Sequence, residues 1–403
     1  MNRRLACAGA AAWLCSASAL AQSLAVREPL GDATGHALFD TDGAEGGLRA
    51  GTFDVRAAAG VAYGFDDNVY ASNEAVRSDS LATGALLLRA TDQTPSRLLQ
   101  AVAHLDARRY AHESSQDADQ YGAAVDFGRA FGGRDQLGLR IDAAHRVESR
   151  TDIEAPLVIS PYEDLRGALE YGHVFNRLSA ELRAESVRLQ YDAPGQAYRD
   201  RWQYRAELAP AFAVNARLRA LAVLYFNRDD FDIRGALDAS ADTRGTLLGA
   251  RYESSGVFAL EAAAGYFQRR ADDGIDDLDG LAARASFTWQ PTLLTQFEAG
   301  ALRTDAPTRL PGARAKIRSD AHVALTHAWS RNLSLLAGVR YQQDEFDRLD
   351  RTDSAWFVDT GCLWSLTRRM LIDFRYQFAL RDTQDGVRDF DRQIVRLSWI
   401  WRL

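Results

Sequence analysis

Charged residues recur at every second position in several segments of this chain of 403 residues, and apolar residues fill the positions between them. A row of carboxylates and guanidinium groups on one face can offer hydrogen bonds to a polar solute. The same groups can instead pair with each other and stiffen the wall that carries them. The candidate residues for this polar face are Glu181, Arg183, Arg205, Glu207, Arg340, Asp373, Arg375 and Arg396.

Sequence motifs for common catalytic and metal sites are absent. The seven His residues are scattered, and the chain has no H-E-x-x-H, G-x-S-x-G or P-loop pattern. Acidic stretches such as Asp66-Asp67-Asn68 offer oxygen ligands for Ca²⁺, although such stretches are more often solvated loop tips. We therefore predict no catalytic residue, no cofactor, no metal site and no enzymatic activity.

The alternation itself predicts β-strands with one apolar and one charged face. In the segment 370–381, for example, Ile372, Phe374 and Tyr376 alternate with Asp373 and Arg375. A charge facing lipid at mid-membrane costs about 2–4 kcal/mol. If the strands cross a membrane, the charged face must therefore line the interior of a barrel.

An aromatic residue returns roughly every 40 residues, each time just before a short polar turn. Aromatic side chains form girdles at the membrane interfaces of barrels, so a two-strand unit that ends on an aromatic fits such a barrel. A soluble propeller has a similar period and is the alternative. The series is Phe131, Phe175, Phe212, Tyr252, Trp289, Trp329, Trp364 and Trp401.

Counting alternating segments from about Phe53 to Leu403 gives about 18 strands, an even number as in bacterial single-chain barrels. The connections alternate between short turns and longer acidic loops. This pattern predicts an all-β, antiparallel up-and-down transmembrane barrel of the outer-membrane type, with both ends in the periplasm. No loop is long, so we expect no large constriction loop folded into the pore.

The two ends of the sequence fit this interpretation. Arg3 and Arg4 precede an apolar stretch and an A-x-A-like site at Ala19-Leu20-Ala21, which is typical of a cleaved secretory signal. The last strand carries Trp399 and Trp401 on one face and resembles the signal by which barrel-assembly machinery recognises its substrates. The expected organisation is a signal peptide at 1–21, a periplasmic segment at 22–50 and the barrel at 51–403.

Composition excludes some partners. The formal net charge is −7, which argues against nucleic acid because phosphate binding needs a basic face. Beyond the predicted leader, only Cys362 remains, so no disulfide can form within the mature chain. The expected surroundings are outer-membrane lipid and lipopolysaccharide in a Gram-negative cell.

The start of the barrel resembles the putative β-barrel porin type-two family. The similarity rests on Gly51-Thr52-Phe53, on Gly64-Phe65-Asp66-Asp67-Asn68-Val69-Tyr70, on the following Ser78-Asp79-Ser80, and on Arg109-Tyr110. The resemblance implies a component of exopolysaccharide or capsular polysaccharide export, with polysaccharide and periplasmic export components as partners. A general diffusion porin for small hydrophilic solutes and a structural outer-membrane barrel are the alternatives.

Overall fold

The computed structural model describes residues 47–403, except 75, 153, 155–158, 234–237, 255, 273–276, 309–312, 314 and 387. The predicted signal peptide and nearly all of the predicted periplasmic segment therefore lie outside the described residues. In the described part of the chain, no helix is long and apolar enough to cross a membrane.

Eighteen antiparallel strands, β2 to β19, form a closed barrel. Each strand pairs with the next along the chain, and β19 pairs with β2 to close the sheet. This confirms the predicted fold class and strand number. The strands are β2 (Phe53–Asp66), β3 (Asp79–Thr94), β4 (Arg97–Tyr110), β5 (Ala118–Phe131), β6 (Asp135–Val147), β7 (Pro161–Val174), β8 (Leu178–Tyr191), β9 (Arg201–Ala213), β10 (Leu218–Phe231), β11 (Ala241–Ser254), β12 (Phe258–Ala271), β13 (Leu278–Thr292), β14 (Thr295–Pro307), β15 (Ala315–Ser330), β16 (Leu333–Phe346), β17 (Arg351–Ser365), β18 (Met370–Asp382) and β19 (Phe390–Arg402).

A short additional strand, β1 (Leu48–Ala50), precedes the barrel. It pairs with Phe53–Val55 at the beginning of β2, below the point where the β2–β19 ladder ends at Arg402 and Ala58. The sequence did not indicate this strand, because three residues are too few to show an alternating pattern. Its position covers an edge of β2 that β19 does not reach.

The two ends of the barrel differ in their connections. One end, here called the turn rim, carries the short turns, such as 95–96 and 132–134, and the other, here called the loop rim, carries the longer connections. Gly132 and Gly133 have positive φ values of 55° and 72°, which glycine adopts without the steric cost that a side chain brings. Two single-turn 3₁₀ helices, Ser114–Gln116 and Ala197–Arg199, lie in loop-rim connections.

The outward face of the barrel is apolar and exposed. Val61, Tyr63 and Phe65 on β2 are typical, and the aromatic series predicted from the sequence lies at the turn rim. Such an outward face is what a barrel presents to lipid. These are the residues that the alternation places on the apolar face of each strand.

On the inward face, ring side chains lie across glycines of the neighbouring strand. The Tyr225 ring covers Gly245, and an added Cβ at that glycine would lie 2.1 Å from the ring. His104 and His322 cover Gly122 and Gly300 in the same way. Glycine at these positions lets a ring lie flat against the wall.

Candidate functional site

The charged face of the strands lies on the inside of the barrel. The Arg284 Nη1 atom on β13 lies 3.0 Å from a carboxylate oxygen of Glu207 on β9. Strands four apart in a curved sheet can bring their side chains together only on the concave side. The contact therefore identifies the inward face without any appeal to sequence pattern.

Six alternating charges form a closed ring on this inward face. Arg183 Nη2 lies 3.1 Å from Glu181 and its Nη1 lies 3.9 Å from Glu207, which Arg284 also contacts. The ring continues through Glu261 and Arg251, and Arg251 Nη1 returns to Glu181 at 3.9 Å. Each charge has an opposite charge on either side, so the ring restrains five strands of the wall.

An apolar cluster lies on the same inward face of β10 to β13. Its fully buried members include Val223 and Phe267, and its other members are Leu221, Leu247, Ala263 and Ala282. An interior wall lined only by charged side chains would remain hydrated. This cluster and the neighbouring ring together form a packed region that fills part of the interior.

The remaining candidate residues lie in smaller groups on other strands. Arg205 lies 3.7 Å from Glu185 and is about half exposed (46%). Arg340 is 2.5 Å from Asp320. Arg375 contacts both Asp373 and Asp359 at 2.9 Å, and Asp373 is fully buried.

Arg396 is buried, and its Nη2 atom lies 3.5 Å from the side-chain oxygen of Gln377. Ile400, four residues further along the same strand, breaks the polar pattern of its inward face. It is also buried. Ile400 packs with Ala58, Leu87 and Leu371 in an apolar cluster near the turn rim. The interior is therefore apolar at this depth, and the sequence pattern alone did not indicate that.

A short loop extends into the barrel mouth, whereas the sequence analysis expected only that no large constriction loop would fold into the pore. Residues 148–152 and 154, here called the crossing segment, leave the end of β6 and extend into the barrel mouth toward β15 and β18. Arg381 Nη1 on β18 donates a hydrogen bond of 2.7 Å to the backbone oxygen of Asp152. Lys316 Nζ on β15 donates one of 2.9 Å to Glu154 Oε2, and the Thr308 hydroxyl donates to the same carboxylate.

The partners of Glu154 stand about half-way around the barrel, because β6 and β15 are nine strands apart in an 18-stranded ring. With strands about 4.8 Å apart and tilted by about 40°, a circular section is roughly 35 Å across. Seven extended residues span at most about 24 Å. The end of the crossing segment therefore lies within the mouth, and long side chains from the opposite wall extend to meet it.

The latch at the far end of the crossing segment is a buried charge cluster. Lys316 is 2% exposed and bridges Glu154 and Asp344, at 2.9 and 2.7 Å. Arg318 contacts the other oxygen of Asp344 at 2.9 Å. Two cations and two carboxylates compensate each other here, and Lys316, Glu154 and Asp344 are all buried.

The near end of the crossing segment is held by its neighbours on the loop rim. Glu148 accepts a bond of 2.6 Å from the buried Arg199 guanidinium, and Arg150 Nε donates to Gln116 at 3.0 Å. Burial, with smaller contributions from the Arg392 and Arg108 guanidinium groups, lowers the pKa of Arg150 to about 10. Arg150 therefore stays charged at neutral pH and adds a cation to the mouth.

A closed 18-stranded barrel with an apolar outer face, a charged inner face and an inward loop defines a porin-like barrel of the outer-membrane type. The chain belongs to the family described as Putative beta-barrel porin 2, whose model matches residues 42–402. This confirms the family resemblance seen at the start of the barrel. No curated protein matches the chain.

Several solved structures are similar to the chain at low sequence identity. The FrpB iron transporter from Neisseria meningitidis (F3-3 variant) is 10% identical, with 84% of this chain and 64% of that chain covered and a TM-score of 0.48. OccK2 (OpdF) from Pseudomonas aeruginosa is 14% identical, with 87% and 98% covered and a TM-score of 0.49. The outer membrane protein opdK from the same organism is 11% identical, with 87% and 99% covered and a TM-score of 0.47. The chain thus spans less than two thirds of the FrpB chain.

Proposed function

We propose that this protein is a diffusion channel for small hydrophilic solutes, narrowed at its mouth by the crossing segment. The observation that carries the proposal is the contact of Glu154 with Lys316, half-way around the barrel, and of Asp152 with Arg381, a third of the way around. A segment held in this way divides the mouth and limits the size of what can pass. The charged inward wall supplies hydrogen bonds and counter-charges for hydrated solutes.

Polysaccharide export, the function that the family resemblance implied, receives no support from the comparisons, and the diffusion porin agrees better with them. A hydrated polymer needs an unobstructed path at every depth. The crossing segment and the packed region beside the six-charge ring both reduce the open section. Small solutes need only a narrow path and many weak contacts.

The proposed location is the outer membrane of a Gram-negative cell, with the loop rim outside and the turn rim in the periplasm. This orientation follows the general arrangement of such barrels, in which long loops face outward and short turns face the periplasm. The proposal includes secretion by a cleaved signal at 1–21 and assembly through recognition of the last strand. Lipopolysaccharide is the proposed neighbour of the outer half of the barrel.

Liposome swelling tests the proposal. Vesicles that contain the purified full chain are diluted into isotonic solutions of sugars of increasing size, and the initial swelling rate is measured. We expect fast entry of monosaccharides and a steep fall from disaccharides to trisaccharides. Vesicles with no swelling in any sugar would contradict a diffusion channel and favour a structural barrel.

A deletion strain provides the comparison with export. Extracellular and periplasmic polysaccharide are measured in the deletion strain and in its complemented form. A diffusion channel predicts equal secretion in all strains. Loss of extracellular polymer together with periplasmic accumulation, restored by complementation, would contradict the proposal and favour an export conduit.

A further inference from the structure

Three potential metal ligands meet on the outward face of the loop rim. They are His145 on β6, Glu163 on β7 and Asp192 just after β8, and one ligand atom from each lies within 4.8 Å of the others. His145 Nδ1 and Asp192 Oδ2 are 3.7 Å apart. No sequence motif linked these residues, because two lie on different strands and the third follows a third strand, with irregular spacing.

The backbone holds the three residues in place. His145 and Glu163 are direct partners in the β6–β7 ladder. The Asp192 backbone N–H donates a bond of 3.1 Å to the Pro161 oxygen, which fixes its position beside β7. The Tyr121 ring stacks on the His145 ring with centroids 5.1 Å apart and restricts its rotation.

The two carboxylates lack the compensation that most carboxylates in this wall have. Among the described residues, neither Glu163 nor Asp192 is paired with Arg or Lys. The neighbouring outward pair Arg188–Asp232, by contrast, is joined at both nitrogens. Two carboxylates this close repel each other, and a bound cation removes that repulsion.

We propose that His145, Glu163 and Asp192 bind one divalent transition-metal ion of the Zn²⁺ class. An imidazole nitrogen with two carboxylate oxygens is a donor set that Zn²⁺ accepts, with water in the remaining position. Zn²⁺ requires ligands at about 2.0–2.2 Å, and the exposed carboxylates can rotate to reach that distance. The predicted absence of a metal site would then be wrong for this cluster.

The site lies at the base of the crossing segment. His145 is two residues before the end of β6, and Glu163 is the third residue of β7, so an ion there ties together the two strands that carry the loop. The ion would reduce the motion of the end of β6 and the beginning of β7. This consequence rests on the proposed channel function, whereas metal binding itself does not.

Calorimetric titration of the full chain in chelator-free detergent tests the binding. We expect one Zn²⁺ per chain, and affinities at least about tenfold weaker for His145→Ala and Glu163→Gln, since even outer-shell changes cost 10–100-fold. His173→Ala is the matched control, because His173 lies at the turn rim beside one carboxylate, Asp135, at 2.6 Å. Zn²⁺ binding that is absent in the parent chain, or unchanged in both variants, overturns the proposal.

Two further measurements keep these outcomes separate. Heat modifiability on gels shows whether each variant has folded, and Asp192→Asn replaces any variant that has not. Bilayer recordings with Zn²⁺ on the loop side then test the consequence for the crossing segment, and we expect longer dwell times in one conductance level. Zn²⁺ binding without a change in dwell times would contradict an effect of the ion on the crossing segment. The metal site itself would still be supported by the calorimetric titration.

Discussion

The Glu154 latch can be tested by a change that removes its charge and keeps its shape. In Glu154→Gln, the amide occupies the same volume but no longer compensates Lys316, which is 2% exposed and 2.9 Å away. Asp344 continues to hold Lys316 at 2.7 Å, so the wall keeps its own ion pair. The substitution therefore weakens the loop contact more than the barrel.

The expected magnitude follows from the type of bond that is lost. A hydrogen bond to a charged group contributes about 1.5–3 kcal/mol. Because the amide oxygen can still accept a hydrogen bond from Lys316 Nζ, only part of this free energy is lost, about 1.4 kcal/mol, and the detached state of the crossing segment should become roughly ten times more populated. In single-channel recordings, this change is expected as frequent visits to a larger conductance level.

A control variant and a double-mutant cycle make the test specific. Glu74→Gln changes an exposed carboxylate in another loop-rim connection and should leave the conductance levels unchanged. If Glu154 and Lys316 act together, Glu154→Gln combined with Lys316→Met should show less than the sum of the two single effects. Identical gating in Glu154→Gln and the parent channel would refute the latch.

Other predictions concern the wall. Arg205→Glu should shift the reversal potential toward cation selectivity, because the Arg205 side chain is 46% exposed. Arg375→Glu should instead lower the yield of folded barrel, measured by heat modifiability, because it breaks the buried ion pair with Asp373. Val339→Arg faces lipid and should impair assembly by about 2–4 kcal/mol at mid-membrane, seen as a lower folded fraction in vesicles; normal folding would contradict the strand parity. Gly245→Val should lower the melting temperature, since its Cβ meets the Tyr225 ring, and an unchanged melting temperature would show that the ring can move away freely.

The sequence predicted the features that repeat along the chain. Alternation set the faces of strands such as β18, and the aromatic series marked the turn rim, because both depend on local spacing. The family resemblance at 51–80 added the class of barrel. The alternation therefore predicts the face of the strand on which a charged side chain lies. It does not predict which opposite charge that side chain contacts.

The features that the sequence did not predict depend on residues far apart in the chain. Glu154 meets Lys316 across 162 positions, and Arg381 meets Asp152 across 229. A loop's length does not show whether it folds inward or outward, since that depends on the charges of the opposite wall. The same reason explains why Ile400 looked like an irregularity and why the cluster of His145, Glu163 and Asp192 went unseen.

The short strand β1 bears on how the barrel closes. The β2–β19 ladder has nine residue pairs, and β1 adds three more along the same edge of β2. Joining the first and last strands encloses more than 300 residues of chain, and contacts of such long range form slowly because the loop entropy must be lost first. The seam is therefore expected to form last during folding, with β1 protecting the lower edge of β2 from pairing with another chain.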